Sequence, residues 1–279
     1  MPELPEVQTI ACGLEKELSG RRFQSVDIRR PKSVEGDAEL FARAIPGSAF
    51  VRARRRGKAL LLDLDSPACG PVVMGVHLRM TGRLYLPEPG EQPDKHTHIV
   101  FRLAPQPGKP DFLYFRDSRT FGSCRVFQRD DEACWPFLTC LGPEPLDIGP
   151  QHFAGLFAGR RGRIKALLLD QHVIAGIGNI YADESLFRAG IRPDARADEL
   201  KPEQLAKLHG ELQAVLREAI AACGSSISDY RDARGNAGAF QNQFRVYGRT
   251  GEKCVACGRT LQSMKVAGRT SVYCPRCQG

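Results

Sequence analysis

Four cysteines near the end of the chain carry the most specific chemistry in the sequence. Cys254-Val-Ala-Cys257 and Cys274-Pro-Arg-Cys277 are separated by 16 residues. Two thiolate pairs on tight turns at that spacing close a tetrahedron around Zn²⁺. Redox Cys-x-x-Cys motifs rarely come as two copies on one basic tail, so one structural zinc ion is expected. Four cysteines leave no coordination position for water, and the metal should hold a β-hairpin rather than activate a nucleophile. Residues 244–279 contain seven basic side chains and one acid, a formal +6, which Zn²⁺ with four thiolates lowers to about +4. Arg269 lies between the two pairs and would be displayed by the hairpin, either toward a phosphate or as an ordinary exposed arginine.

Two further basic clusters stand upstream: Arg52, Arg54, Arg55, Arg56 and Lys58, then Arg160, Arg161, Arg163 and Lys165. Each adjoins an apolar segment that would hold it on an ordered surface. Such clusters suit a polyphosphate backbone, although solvated faces with no partner look the same in sequence. Gly176-Ile-Gly178-Asn179 begins like a dinucleotide fingerprint, but Tyr181 occupies the third glycine position and no second strand follows. A tight turn delivering Asn179 as N-cap to a helix is the better reading, with Gly190 beyond the helix end and exposed N–H groups suited to a phosphate.

The elements that must position these groups fall into two blocks. The 279 residues suffice for about two domains, each with its own core. Val7, Ile10, Ala11, Leu14 and Leu18 follow helical spacing, with Pro5 in the first turn and Gly20 past the end. From about 23 to 128 the pattern changes to short β-rich runs (25–29, 59–64, 72–78, 99–103, 112–115, 124–127), an antiparallel sandwich or barrel. The proline- and glycine-rich stretch 141–150 marks a boundary. Beyond it helical spacing returns at Leu205, Leu208, Leu212, Val215, Leu216 and Ala219, between Pro202 and Gly224. The expected division is 1–133, a linker 134–150, a helical domain 151–243 ending in a loop near 225–243, and a zinc finger 244–279.

Composition excludes several classes. The net charge is +8, and hydrophobic residues at 42% with charged residues at 26% are ordinary for a globular chain. No apolar run approaches the roughly 18 residues of a membrane span, so no membrane partner is expected. The start, Met-Pro-Glu-Leu-Pro-Glu, lacks the basic and apolar segments of a secretory signal, so the chain is expected to stay in a reducing cytoplasm with its cysteines as thiols or metal ligands.

Taken in order, several motifs resemble the formamidopyrimidine-DNA glycosylase/endonuclease VIII family. They are Pro2-Glu-Leu-Pro-Glu6, Arg56-Gly-Lys58, His77-Leu-Arg-Met80-Thr-Gly, Lys95-His96-Thr-His98, Asp117-Ser-Arg119-Thr-Phe121-Gly, Leu141-Gly-Pro-Glu-Pro145, Gly176-Ile-Gly-Asn-Ile-Tyr-Ala-Asp-Glu184 and Val246-Tyr-Gly-Arg249 before the cysteines. They span nearly the whole chain. The resemblance implies an α+β multidomain fold: an N-terminal helix with a two-sheet antiparallel β-sandwich, a helix-two-turn-helix domain and a C-terminal zinc-finger hairpin. It also implies a monomeric base-excision enzyme, both glycosylase and lyase, acting on double-stranded DNA that contains oxidised bases or abasic sites.

By the same resemblance Pro2, freed by loss of Met1, is the nucleophile and Glu3 the general acid/base. Lys58 assists β-elimination and Arg269 δ-elimination. An arginine is a poor acid, so electrostatic stabilisation of the leaving phosphate suits Arg269 equally well. Met80, Arg119 and Phe121 match the family's void-filling side chains, which occupy the stack after a base is extruded. His96, Arg161, Lys165 and Asn179 match phosphate-contacting positions. His96 and His98 alone are too few for a metal site.

Two positions depart from the common pattern: Thr120 stands where many members carry Arg, and Arg161 where Lys is also common. The segment 232–240 matches the part that varies with damaged-base preference. The expected substrates are 8-oxoguanine and formamidopyrimidines. An endonuclease VIII-like preference for oxidised pyrimidines is the alternative within the family, and a non-catalytic zinc-ribbon DNA-binding protein the alternative outside it. Cys12, Cys69, Cys124, Cys134, Cys140 and Cys223 receive no role.

Overall fold

The computed structural model describes residues 1–227 and 230–279; Ser228 and Asp229, in the loop expected near 225–243, lie outside the described residues. The chain forms two compact units. The first comprises residues 1–139 and 222–239, the second residues 140–221 and 240–279.

The first unit opens with α1 (Leu4–Leu18), followed by β1 (Phe23–Ile28), α2 (Ala38–Ala44), β2 (Ala49–Arg56), β3 (Ala59–Ser66), β4 (Gly70–His77), β5 (Gly82–Tyr85), β6 (Thr97–Leu103), β7 (Phe112–Asp117), β8 (Ser123–Gln128) and the short α3 (Pro136–Thr139). The strands make two four-stranded sheets in the orders β1-β6-β7-β5 and β2-β3-β4-β8, with every paired neighbour antiparallel. Leu60, Leu62 and Leu64 of β3 meet Phe101, Leu103, Phe115 and Val126 in one apolar core. The α1 stripe of Val7, Ile10, Ala11, Leu14 and Leu18 packs into the same core, each large side chain contributing about 1.5–3 kcal/mol by leaving water.

Three elements depart from the sequence pattern. Strand β2 is half arginine, β5 has only four residues and α2 only seven, so none showed a sustained apolar period. In β2 the arginines are bound rather than free: Arg52 and Arg54 both pair with buried Asp63, at 2.6 and 3.0 Å, and Arg54 also meets Glu132. Those two carboxylates offset two of the five positive charges read from the cluster.

The second unit contains α4 (Pro150–Gly155), α5 (Ile164–Leu169), α6 (Asn179–Ala189), α7 (Pro202–Ala221) and the hairpin β9 (Gln262–Val266) and β10 (Arg269–Tyr273). Helix α6 has Gly178 as its N-cap and Asn179 as its first residue, so it begins one position earlier than expected, and Gly190 ends it in the left-handed region at φ 76°. Val246, Leu261 and Val272 pack on Phe187 of α6 together with Cys254 and Cys274. The zinc-finger segment therefore shares a unit with the helices, whereas residues 222–239, expected with the helical domain, belong to the first unit. Among the described residues no helix is long and apolar enough to cross a membrane.

Candidate active site

In the first unit the chemistry begins at the chain start. Pro2 is buried and Glu3 is 3% exposed. Glu3 precedes α1 as its N-cap, and its N–H donates to Glu6 Oε2 at 2.8 Å in a capping box that fixes the first turn. The other Glu6 oxygen accepts the Ser225 N–H at 2.8 Å. Gly224, at φ 80°, lies so close that an added Cβ would sit 3.0 Å from the Glu6 side chain. The Tyr230 hydroxyl donates to Cys223 O at 3.1 Å and Glu6 O at 3.4 Å, and burial pushes that phenol up, keeping it a donor. The sequence marked Glu6 only as a motif and first-turn residue; the structure shows its carboxylate tying Glu3 to Ser225.

Helix α1 lies along β2. Glu15 Oε2 accepts the Ala53 N–H at 2.5 Å and Gln8 Oε1 accepts from Arg55 Nε at 3.1 Å. Those two contacts direct the start of the helix toward the β2–β3 turn, Gly57-Lys58, which joins the paired residues Arg56 and Ala59. Gly57 needs its positive φ of 55° there, and Lys58 is 6% exposed. Pro2, Glu3 and Lys58 thus fall at one end of the α1–β2–β3 assembly.

Met80 sits half-buried on the turn between β4 and β5, while Arg119 is exposed between β7 and β8. Phe121 is 57% exposed, a large apolar ring offered to solvent, and the Arg119 guanidinium lies 5.0 Å over it. The Arg119 N–H donates to Thr81 Oγ1 at 3.2 Å, which brings the two loops together. His96 is partly exposed beside them. His98 is buried with its Nε2 2.7 Å from Asp117 O, engaged with the backbone rather than paired with His96.

In the second unit Arg161 is exposed. Asn179 donates through Nδ2 to Thr270 O at 3.1 Å. Lys165 is fully buried, and this is a correction to its expected phosphate contact. Its ammonium lies 2.6 Å from Asp183 Oδ1 and donates to Ser271 Oγ at 2.7 Å and Thr270 O at 3.3 Å. Asp183 Oδ2 accepts the Val272 N–H at 3.1 Å. Burial raises the Asp183 carboxyl to about 6, against the pull of Lys165. Lys165 therefore braces β10 from within. Glu184, also unassigned from sequence, accepts the N–H groups of Arg245, Val246 and Tyr247 at 2.8–3.1 Å and anchors the chain entering the finger.

Arg269 is exposed at the start of β10. The β9–β10 turn is Ala267-Gly268, with φ 49° and 71°, both positive as a type I′ hairpin requires. The four cysteines present Sγ atoms all within 4.8 Å of one another, with Cys254–Cys277 at 3.9 Å and Cys257–Cys274 at 3.5 Å. Tetrahedral zinc with bonds of ~2.3 Å has edges of about 3.8 Å. The donor set and its spacing fit one structural Zn²⁺. This is the one group of three or more metal-ligating side chains among the described residues.

This arrangement matches known proteins along the entire chain. Residues 1–124 match the formamidopyrimidine-DNA glycosylase N-terminal domain, residues 141–231 the formamidopyrimidine-DNA glycosylase H2TH domain, and residues 251–279 a zinc finger found in FPG and IleRS. The chain belongs to the formamidopyrimidine-DNA glycosylase family. Its relatives include formamidopyrimidine-DNA glycosylases of Nitratidesulfovibrio vulgaris, 43% identical, and Desulfitobacterium hafniense, 44% identical, each covered in full along with this chain. Among solved structures, a mutant Lactococcus lactis FPG complexed with Fapy-dG DNA is 34% identical with a TM-score of 0.88. The wild-type Lactococcus lactis FPG with DNA containing an oxidised pyrimidine is 33% identical with a TM-score of 0.89; each structure covers 99% of both chains. The sandwich, the helical region and the zinc-finger hairpin are those of this family.

Proposed function

We propose that this protein is a bifunctional DNA glycosylase and abasic-site lyase that removes oxidised purines, 8-oxoguanine and formamidopyrimidines, from duplex DNA. The observation that carries the proposal is a buried Pro2-Glu3 start, locked by Glu6, in a chain that matches the family from end to end. While Met1 is attached, the Pro2 nitrogen is an amide and cannot attack. Its removal frees a secondary amine of the α-amino class, with a pKa near 8 and about a tenth unprotonated at pH 7.

The amine attacks sugar C1′, the ring opens and the damaged base leaves with its bonding electrons and a proton. The resulting iminium acidifies the C2′ proton, whose loss expels the 3′ phosphate; a second elimination releases the 5′ phosphate. Glu3 is placed to exchange protons at the sugar. Lys58 serves the first elimination, and Arg269 stabilises the phosphate leaving in the second. Zinc supplies no chemistry to these steps; held by the four cysteines, it fixes the hairpin that presents Arg269. The protein acts as a monomer on chromosomal DNA in the cytoplasm, where its remaining cysteines stay reduced.

Borohydride trapping on an 8-oxoguanine duplex tests this reading. Protein shown by intact mass to lack Met1 forms a covalent DNA adduct, and Pro2→Gly or a blocked N-terminus does not. Absence of an adduct from the processed protein overturns the mechanism. The Lactococcus lactis complex with an oxidised pyrimidine favours a wider second reading, and excision rates on 8-oxoguanine and thymine glycol duplexes separate the two preferences.

A further inference from the structure

The candidate void-filling side chains come from two separate loops, and one buried carboxylate holds both. Asp117, the last residue of β7, is 0% exposed. Its Oδ1 accepts the Thr81 hydroxyl at 2.5 Å and the Arg119 N–H at 3.2 Å, and its Oδ2 accepts the Gly122 N–H at 2.7 Å. Thr81 follows Met80 directly, and Arg119 and Gly122 bracket Phe121. The β5–β7 register pairs Gly82 with Asp117, which sets the carboxylate between the loops.

Neither flanking glycine has room for a side chain. A Cβ on Gly82 would lie 2.4 Å from Leu78 O, and one on Gly122 would lie 3.0 Å from the Phe115 ring and 3.2 Å from the carboxylate itself. The Asp117 main chain is committed as well, its N–H donating to His96 O at 2.9 Å and its carbonyl meeting His98 at 2.7 Å. An ionised acceptor makes stronger hydrogen bonds than a neutral one. Strength is needed here, because Arg79 and Thr120 sit at φ 53° and 60°, conformations that persist only where their surroundings over-determine them.

We infer that Asp117 is a positioning residue that couples the Met80 turn to the Arg119–Phe121 loop, so that the three side chains enter the duplex together and set selectivity for the opposite base. The inference rests on the void-filling reading of those three residues. An asparagine at 117 keeps one carbonyl but turns an N–H₂ toward either the Gly122 N–H or the Arg119 N–H, a donor facing a donor. Thr81→Val removes the hydroxyl that donates to Asp117 and accepts the Arg119 N–H, and keeps the side-chain shape.

The test uses full-length protein with Met1 removed and zinc bound. On an 8-oxoguanine duplex with 2-aminopurine beside the opposite base, Asp117→Asn and Thr81→Val slow the fluorescence rise about tenfold, the effect of losing a buried hydrogen bond to a charged group, and flatten the preference among opposite bases. Thr81→Ser, which retains the hydroxyl, keeps the native response. Borohydride trapping on a single-stranded abasic oligonucleotide, which has no opposite base to displace, is unchanged in all three variants. Equal losses on single-stranded and duplex substrates reduce Asp117 to a fold support and overturn the inference, as does an unchanged duplex response. If Asp117→Asn lowers the thermal midpoint severely, Thr81→Val decides the matter. A Met80→Ala/Phe121→Ala protein separates the two levels. If its response is native, the void-filling reading fails; if it is impaired while Asp117→Asn and Thr81→Val are native, only the coupling fails.

Discussion

The two turns that carry Lys58 and precede Arg269 are both two-residue hairpin loops, yet different physics holds them. Strands β2 and β3 have eight residues each, and the side chains of Leu60, Leu62 and Leu64 below the Lys58 turn are 0% exposed. Apolar area fixes that turn. Strands β9 and β10 have five residues each and form a sheet of only two strands. Such a ribbon is marginal alone, and its apolar cluster is small. Four metal-binding cysteines and the buried Lys165–Asp183 pair supply what area does not. A cationic side chain can therefore be positioned by a core or by a metal and a charge, and the two designs should fail under different insults.

The largest contrast comes from removing the metal. Zinc binding to small finger peptides is worth about 10–16 kcal/mol, so chelation or Cys274→Ser should unfold the hairpin and abolish tight DNA binding. The β-rich far-ultraviolet dichroism and cooperative melting of the sandwich should survive. Loss of both at once would show that the finger is not separately stabilised.

Next in size is Lys165→Met, which leaves Asp183 buried and unpaired at an expected cost of about 3–5 kcal/mol in urea unfolding. Adding Asp183→Asn should recover part of that loss, because the amide oxygen still accepts the Val272 N–H. A double variant no better than the single one would argue against the ion pair as the brace. In the sandwich, Leu62→Ala should cost about 2–5 kcal/mol by opening a cavity, seen as a lower thermal midpoint for the first unit with zinc still retained.

Acid gives the smallest separation. His77 pairs with Ala59 at the base of the Lys58 turn. Burial, with Arg79 and Lys58 nearby, lowers its pKa from 6.5 to about 3. The unfolded chain takes up a proton that the folded chain refuses, so stability present above pH 6.5 is lost as pH falls toward 3, at up to about 1.4 kcal/mol per unit. Between pH 7 and 5 the thermal midpoint should fall less in His77→Gln than in the native protein, with zinc retention monitored in parallel. An equal fall would assign the acid sensitivity elsewhere.

Much of this plan is legible in the residues themselves. The cysteine spacing marks the hairpin, and the periods of Val7 to Leu18 and Leu205 to Ala219 mark α1 and α7 because each keeps one apolar face over several turns. The β2 strand was hidden since its outward residues are arginines whose partner, Asp63, is visible only once β3 folds back on them. Lys165 looked like one more cation in a basic run. Its true partner stands 18 positions along, on another helix, and nothing local distinguishes a lysine that will be entombed from one that will meet solvent. The tie from Glu6 to Ser225 spans 219 positions, beyond any periodicity.

Thr120 gives one of these features an evolutionary edge. A β-branched residue at φ 60° stores about 1–3 kcal/mol of backbone strain, in the turn immediately before the exposed Phe121 ring. Selection of this protein for heat tolerance alone should discover Thr120→Gly early, since it relaxes the loop at no steric cost. The hardier descendants would then be less discriminating ones, with a probe that droops where the parent's stands rigid.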